Sequence, residues 1–318
     1  MSYYACAVTT RKPGPRYYFI NTSAAETLYA SIPYSQLSTY TSMKYYIVGG
    51  GGAGGQGYYT SSTNACGGGG GGSGDQTGYI SVTDPATGID YSLSNHKAEQ
   101  VVTLSSLGTF TSITPTIGNG GQSASQSGGT SYVRIYNGAT LTTTYSANGG
   151  DGGSSQDGGN GFFGGGAGAA IYNTGSQESP IYSGNRGNNG TGYVTSYNGF
   201  YYDYPIESGS YFTGSGGSTA NETSFDYRPI GVPYNSITNT IYAGVGGGGG
   251  GGVDYLQSNQ MFGGSYTFSS PAGFSLVQPT NGIDYTSQGG GGGVTIPNGD
   301  STSVGKGGKG FIILYFYN

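Results

Sequence analysis

Apolar residues in this chain come in short runs that open or close directly onto glycine. Tyr45-Tyr46-Ile47-Val48 passes, with no polar turn, into Gly49-Gly50-Gly51-Gly52-Ala53-Gly54-Gly55-Gln56-Gly57. The last residues reverse that order: Gly305-Lys306-Gly307-Gly308-Lys309-Gly310 leads into Phe311-Ile312-Ile313-Leu314-Tyr315-Phe316-Tyr317. Further glycine tracts lie at 67–72, 149–168, 246–252 and 289–293. The closing run has no polar alternation, which predicts a strand buried on both faces. One of those faces is a place for another subunit, so Phe311, Ile313, Tyr315 and Tyr317 are candidate assembly residues.

Between the ends the pattern reads strand, glycine, strand. Tyr17–Ile20 is a strand candidate, and Ser23 with Glu26 three residues on could cap one helical turn. Residues 78–83 read as a strand stopped by Asp84-Pro85, while 101–104 and 109–117 alternate apolar with Thr or Ser positions. In 132–145 two β-rich arms flank Asn137-Gly138, a strong hairpin signal because such turns need positive φ. No stretch keeps helical periodicity over three turns. The expected class is all-β or irregular, with very little α-helix. Residues 1–44 read either as an N-terminal arm or docking segment or as an edge of the main domain at 43–318. Within that domain, 171–242 is a tyrosine-rich insertion whose prolines predict long loops.

Glycine loses more backbone freedom on folding than any other residue, at roughly 1–2 kcal/mol per residue fixed. A lone tract would be a linker. Several tracts, each continuous with a strand, suit a different arrangement. The polyproline-II helix has three residues per turn and no internal hydrogen bonds, so every N–H and C=O points sideways. Built of glycine, such helices have no Cβ to hold them apart and can bond laterally through the backbone. At about 3.1 Å per residue, six or seven residues span roughly 19–22 Å. The expectation is a bundle of polyglycine-II helices combined with short strands and hairpins; flexible linkers and glycine-rich β-sheet are the alternatives.

The strand-then-glycine start at 45–57, the Ala147-Asn148-Gly149-Gly150-Asp151-Gly152-Gly153 stretch and the glycine-then-strand close at 306–317 resemble the glycine-rich domain of virion proteins. Such domains occur in phage tail-fibre and adhesin tips and in glycine-rich surface proteins of large DNA viruses. The resemblance covers residues 43–318. It implies a particle component, often trimeric or mounted on a trimeric fibre and often in contact with a host surface. The long aromatic insertion and the lack of a fibre repeat in the N-terminal segment depart from that pattern.

Composition sharpens this. Glycine supplies 68 of 318 residues, tyrosine 32, and charged residues only 8%. Disordered chains are poor in aromatics and rich in charge, the opposite of this one. The net charge of −5 and ten scattered Lys and Arg leave no basic footprint for nucleic acid. The N-terminus does not read as a secretion signal, and no run approaches a transmembrane length. Cys6 and Cys66 allow at most one bridge and are expected as reduced thiols. His96, the single histidine, cannot form a metal cluster with itself, and Lys306 and Lys309 are each followed by glycine where a phosphate loop needs Ser or Thr. No catalytic residues, metal or cofactor are expected. The candidate ligand patch is Phe200, Tyr201, Tyr202 and Tyr204, since tyrosine suits contact with sugars or protein surfaces; packing over the glycine layer is the alternative role. The expected function is a non-enzymatic structural protein of a virus particle, made in the host cytoplasm, placed at the virion surface and partnered by its own copies or other coat proteins. A host-receptor adhesin contacting a glycan or protein through the tyrosine loops comes second. A secreted glycine-rich matrix or ice-binding protein comes third.

Overall fold

A computed structural model describes residues 13–57, 59–61, 64–66, 68–89, 91, 97–154, 158–161, 169–173, 178–182, 194–197, 200–203, 234–235, 240–241, 266–269, 273–276, 281–293 and 303–318. These are mostly β-sheet, with one α-helix of six residues, Ser23–Leu28. The principal sheet places Phe311–Tyr317 between Arg16–Ile20 and Ser42–Val48, antiparallel to both. Gln76–Gly78 and Val101–Thr103 share the far side of Ser42–Val48, pairing its last three and first three residues. The second sheet runs in the order Thr140–Ala147, Ser131–Asn137, Ser112–Thr116, Ile32–Pro33.

Alternation along a strand sends successive side chains to opposite faces, and the principal sheet buries both. Ile312, Leu314 and Phe316, with Met43, Tyr45 and Ile47, meet Ile113, Val133 and Ile135 of the second sheet. Phe311 and Ile313, with Tyr46 and Val48, pack on the other face under Ile80, Ile89 and Tyr91. The sequence left that second face open to cover by another subunit; over Phe311 and Ile313 the cover comes from residues 79–91 of the same chain.

Beyond one end of the sheets the strands continue as glycine tracts. Tract 49–57 is the hub. Each residue of 50–55 donates one backbone hydrogen bond and accepts one, at 2.7–3.0 Å. The donors go in rotation to three tracts: Gly50 to Gly129, Gly51 to Gly308, Gly52 to Gly72, then Ala53 to Gln126, Gly54 to Gly305, Gly55 to Gly69. Each partner steps back by three residues as the donor steps forward by three, so these three tracts run antiparallel to the hub. The carbonyls of Gly50, Gly52, Ala53 and Gly55 accept from Gly150, Gly290, Gly153 and Gly293, again in steps of three but parallel, while Gly51 and Gly54 accept from Gly121 and Ser125.

The surrounding tracts also bond to one another. Gly69, Gly72 and Asp75 donate to Ser154, Asp151 and Asn148; Gly128 donates to Gly150 and Gly129 to Asn119. Gly307 and Gly310 donate to Gly121 and Gly118, Gly305 and Gly308 to Gly291 and Gln288, and Gly68, Gly71 and Gly74 to Gly293, Gly290 and Ser287. Six tracts therefore close a ring around the hub, in the order 68–75, 148–154, 126–129, 118–121, 305–310, 287–293. At most hub positions a side chain could not enter: a Cβ on Gly52 would lie 2.0 Å from the Asp151 carbonyl oxygen, and one on Gly55 1.6 Å from that of Ser154.

Several local expectations shift. The helix cap is Thr22, not Ser23: its φ of −150° and ψ of 158° leave it extended, and its hydroxyl accepts the Ala25 N–H at 3.1 Å. The strand expected at 78–83 lies earlier, at Gln76–Gly78. It ends because Gly78 turns at φ +71°, where a Cβ would meet the Tyr45 carbonyl oxygen at 2.2 Å. The hairpin forms, but Asn137 pairs with Thr140, so the turn residues are Gly138 and Ala139, with positive φ at Gly138 alone. That is the turn with glycine at its first central position. Of the segment 1–44, Arg16–Ile20 is a pairing strand of the principal sheet, with Tyr18 and Ile20 buried in its core. In the tyrosine-rich insertion, Ala169–Asn173 joins a ladder with Glu178–Tyr182 and Asn64–Cys66, and Val194–Tyr197 pairs Phe200–Asp203.

Candidate assembly surface

On the outer face of the principal sheet, burial falls away from the glycine layer. Phe311 and Ile313 are fully buried, Tyr315 and Tyr317 are half-buried, and Tyr17 is 39% exposed. Tyr17 lies opposite Tyr315 in register, and Tyr315 lies opposite Lys44. The rings form a continuous ladder: Tyr17 to Phe19 at 5.6 Å, Tyr17 to Tyr315 at 4.4 Å, and Tyr315 to Tyr317 at 5.2 Å between centroids. Two of these contacts are stacked and the Tyr17–Tyr315 contact is tilted, so much of the ring-face area is used within the row, and ring edges and hydroxyls are prominent in what remains for a partner. Such a row can donate and accept hydrogen bonds over a dry base, which suits protein contact better than stacking on a sugar.

Charge at this end is local and paired. Lys44 Nζ donates to Glu99 Oε2 at 2.7 Å and sits 5.8 Å from the Tyr317 ring centroid. The hydrogen bond to Glu99 raises the lysine pKa. Burial raises the Tyr17 phenol, with Tyr315 adding and Lys44 opposing. Val101, on the strand beside Lys44, is 56% exposed.

A second polar cluster fastens the helix to the glycine layer. Glu26 Oε1 accepts from Lys309 Nζ at 2.7 Å and from the Tyr285 hydroxyl at 2.5 Å, and Ser23 Oγ lies 3.1 Å from that hydroxyl. Lys309, one of the two glycine-flanked lysines, is thus one half of an ion pair. A third cluster is internal: Asn21 Nδ2 donates to Asp84 Oδ2 at 2.6 Å and to the Tyr91 hydroxyl at 2.9 Å, and the Thr87 hydroxyl donates to Asp84 at 2.7 Å. Burial pushes the Tyr91 phenol far up. Its role is to hold 84–91 against the sheet.

The structure thus separates the four assembly candidates into a buried pair, Phe311 and Ile313, and a partly exposed pair, Tyr315 and Tyr317. Phe200, Tyr201 and Tyr202 lie on a strand paired with Val194–Tyr197, in a ladder separate from the two large sheets; Tyr204, His96 and Cys6 lie outside the described residues. Tyr17, Lys44 and Glu99 were not singled out from sequence, because only the register of a strand almost 300 residues away brings Tyr17 beside Tyr315. Among the described residues no group of three or more His, Cys, Asp or Glu could hold a metal ion, and no helix is long and apolar enough to cross a membrane. No protein-family model matches the chain, and no curated protein matches it significantly.

Proposed function

We propose that this chain is a non-enzymatic structural protein of a virus particle, a fibre, spike or outer-capsid component that assembles with its own copies or with other coat proteins. The observation that carries the reading is the glycine ring. A chain with 8% charged residues devotes a whole layer to backbone bonds between tracts, which makes a stiff block with few side chains inside it. We take the ring to be a polyglycine-II bundle, because its hydrogen bonds rotate among three neighbours with a period of three residues. The tyrosine row at Tyr17, Tyr315 and Tyr317 is the part of the sheet face offered to a neighbour.

Two measurements test this reading. Sedimentation of the purified chain should show discrete multimers, and antibodies raised against it should decorate intact virus particles from its source. A strictly monomeric chain whose antibodies decorate no particle would overturn the proposal.

A further inference from the structure

Phe311–Tyr317 occupies an unusual place. It is flanked on both sides by strands from the first 48 residues, pairing five positions of Arg16–Ile20 and seven of Ser42–Val48. The tract that leads into it, 305–310, fills one of the six ring positions, bonded to the hub, to 118–121 and to 287–293. Every one of these partners except 287–293 is at least 180 residues away in sequence. Residues 303–317 therefore act as a plug, and without them the molecule would hold a slot between two strands and a gap in the ring.

We propose that this plug is exchangeable between copies, so that the slot of one chain receives residues 303–317 of a second copy. This deepens the assembly reading above and rests on it. Three observations favour a second copy as the occupant. The slot is complementary to this segment along its whole length, since the segment's backbone is bonded on both sides of the strand and around the tract. Phe311 and Ile313 are fully buried, so these two residues can meet a neighbour only by entering its sheet. The strand also carries no charge and no proline, so its whole backbone can pair on both sides and its side chains can enter another copy's core without burying a charge. Exchange of an identical element needs no new contact surface, because each native pair is remade between chains. The main-chain ladder supplies affinity, and alternate side chains entering the two cores supply register.

The test uses full-length chains carrying Cys6→Ser and Cys66→Ser. One partner also carries Tyr17→Cys and the other Tyr315→Cys, positions that lie opposite each other in register. The two are unfolded, mixed in equal amounts, refolded together under mild oxidation and resolved without reductant. A single chain carrying both substitutions reports whether the bridge can close; if it does not, Phe19→Cys and Ile313→Cys, the next opposed pair on that face, replace them. The background is Tyr17→Cys mixed with Leu28→Cys, which is exposed on the helix and not opposed to it. Exchange predicts a mixed disulfide dimer several-fold above that background. A bridge that closes within the double variant while the mixed pair stays at background overturns exchange. If the wild-type chain still sediments as a multimer in that case, self-assembly stands and uses another surface; if it is monomeric, self-assembly falls with exchange, and the particle reading then stands or falls on the antibody decoration.

Discussion

Gly52→Ala separates a glycine core from a set of linkers more sharply than any other change. The added Cβ would lie 2.0 Å from the Asp151 carbonyl oxygen and 2.4 Å from its carbon. An ordinary contact of 3.4 Å requires tracts 49–57 and 148–154 to part by about 1.4 Å if neither rotates. Neither is free to do so. Gly150 and Gly153 donate to Gly50 and Ala53 at 2.9 and 2.8 Å, and Asp151 accepts from Gly72 at 3.0 Å. Displacement on that scale takes the first two bonds past hydrogen-bonding range and strains the third. Each buried group left without a partner costs about 1–3 kcal/mol, so the substitution should cost about 3–6 kcal/mol, a large part of a typical domain's stability of roughly 5–15 kcal/mol.

The comparison is Gly14→Ala, at an exposed position with nothing within 4 Å of the new Cβ. There alanine only narrows the unfolded ensemble and should stabilise by about 0.4–1 kcal/mol. Urea unfolding followed by far-UV circular dichroism should move the two midpoints in opposite directions from wild type. Ala53 shows that the hub can bury a Cβ at one position, so the experiment tests the closeness of a particular neighbour and not the residue type. A Gly52→Ala midpoint at or above that of wild type, with unchanged m-value, would refute the ring.

The Glu26–Lys309 pair, whose side chains are 29% and 27% exposed, should contribute about 0.5–1 kcal/mol. Its hydrogen bond to Glu26 raises Lys309 above the ordinary 10.5. The contribution is therefore present in full below 10.5 and lost as pH rises through the higher folded value; the stability gap between wild type and Lys309→Met should be flat from neutral pH to that point and close above it, and a gap independent of pH would remove the ion pair from the account. Gln76 is 2% exposed, and neither atom of its amide has a partner among the described residues. Gln76→Met should raise stability by about 1 kcal/mol, or roughly 2–4 °C in Tm, and a lower Tm by calorimetry would show that the amide is bonded. Replacing Phe200, Tyr201, Tyr202 and Tyr204 together with alanine should leave the unfolding free energy within about 0.5 kcal/mol of wild type, because the ladder that holds Phe200, Tyr201 and Tyr202 is separate from the two large sheets. If that free energy holds but sedimentation shows that the multimers have gone, the contact surface is the tyrosine insertion and not the Tyr17–Tyr315 row.

Local signals in the sequence were legible where the cause was local. The strand at Arg16–Ile20, the hairpin around Gly138 and the double-sided burial of Phe311–Tyr317 follow from residue type and periodicity within a few positions. The shifts are local too: Thr22 outcompetes Ser23 because the extended residue is the one whose hydroxyl can reach the Ala25 N–H. What could not be read was partnership. Glycine tracts carry no side chains to choose neighbours, so nothing in 49–57 says that it is the hub or that 287–293 runs parallel to it. The same holds for the surface: Lys44 and Glu99 are 55 residues apart and meet only because Val101–Thr103 pairs with Ser42–Lys44.

The order of the ring, however, follows from the sheets. Three strands of the second sheet, Thr140–Ala147, Ser131–Asn137 and Ser112–Thr116, connect to tracts 148–154, 126–129 and 118–121, which are consecutive in the ring in that same order. In the principal sheet, Phe311–Tyr317, Ser42–Val48 and Gln76–Gly78 connect to tract 305–310, the hub and tract 68–75, and each of these outer tracts accepts from the hub. Two sheets whose inner faces carry side chains stand about 10 Å apart. Where the side chains stop, nothing holds the layers at that distance, and the buried backbone must find partners. The Gly50 N–H to Gly129 bond and the Gly150 N–H to Gly50 bond are direct links between the layers. The two large sheets and their tracts thus form a β-sandwich held open by apolar side chains at one end and zipped shut by backbone at the other. The switch from Val48 to Gly49 sets the boundary, so moving one apolar residue across it, as in Gly50→Val, should be tolerated less well than any substitution of equal volume within Ser42–Val48.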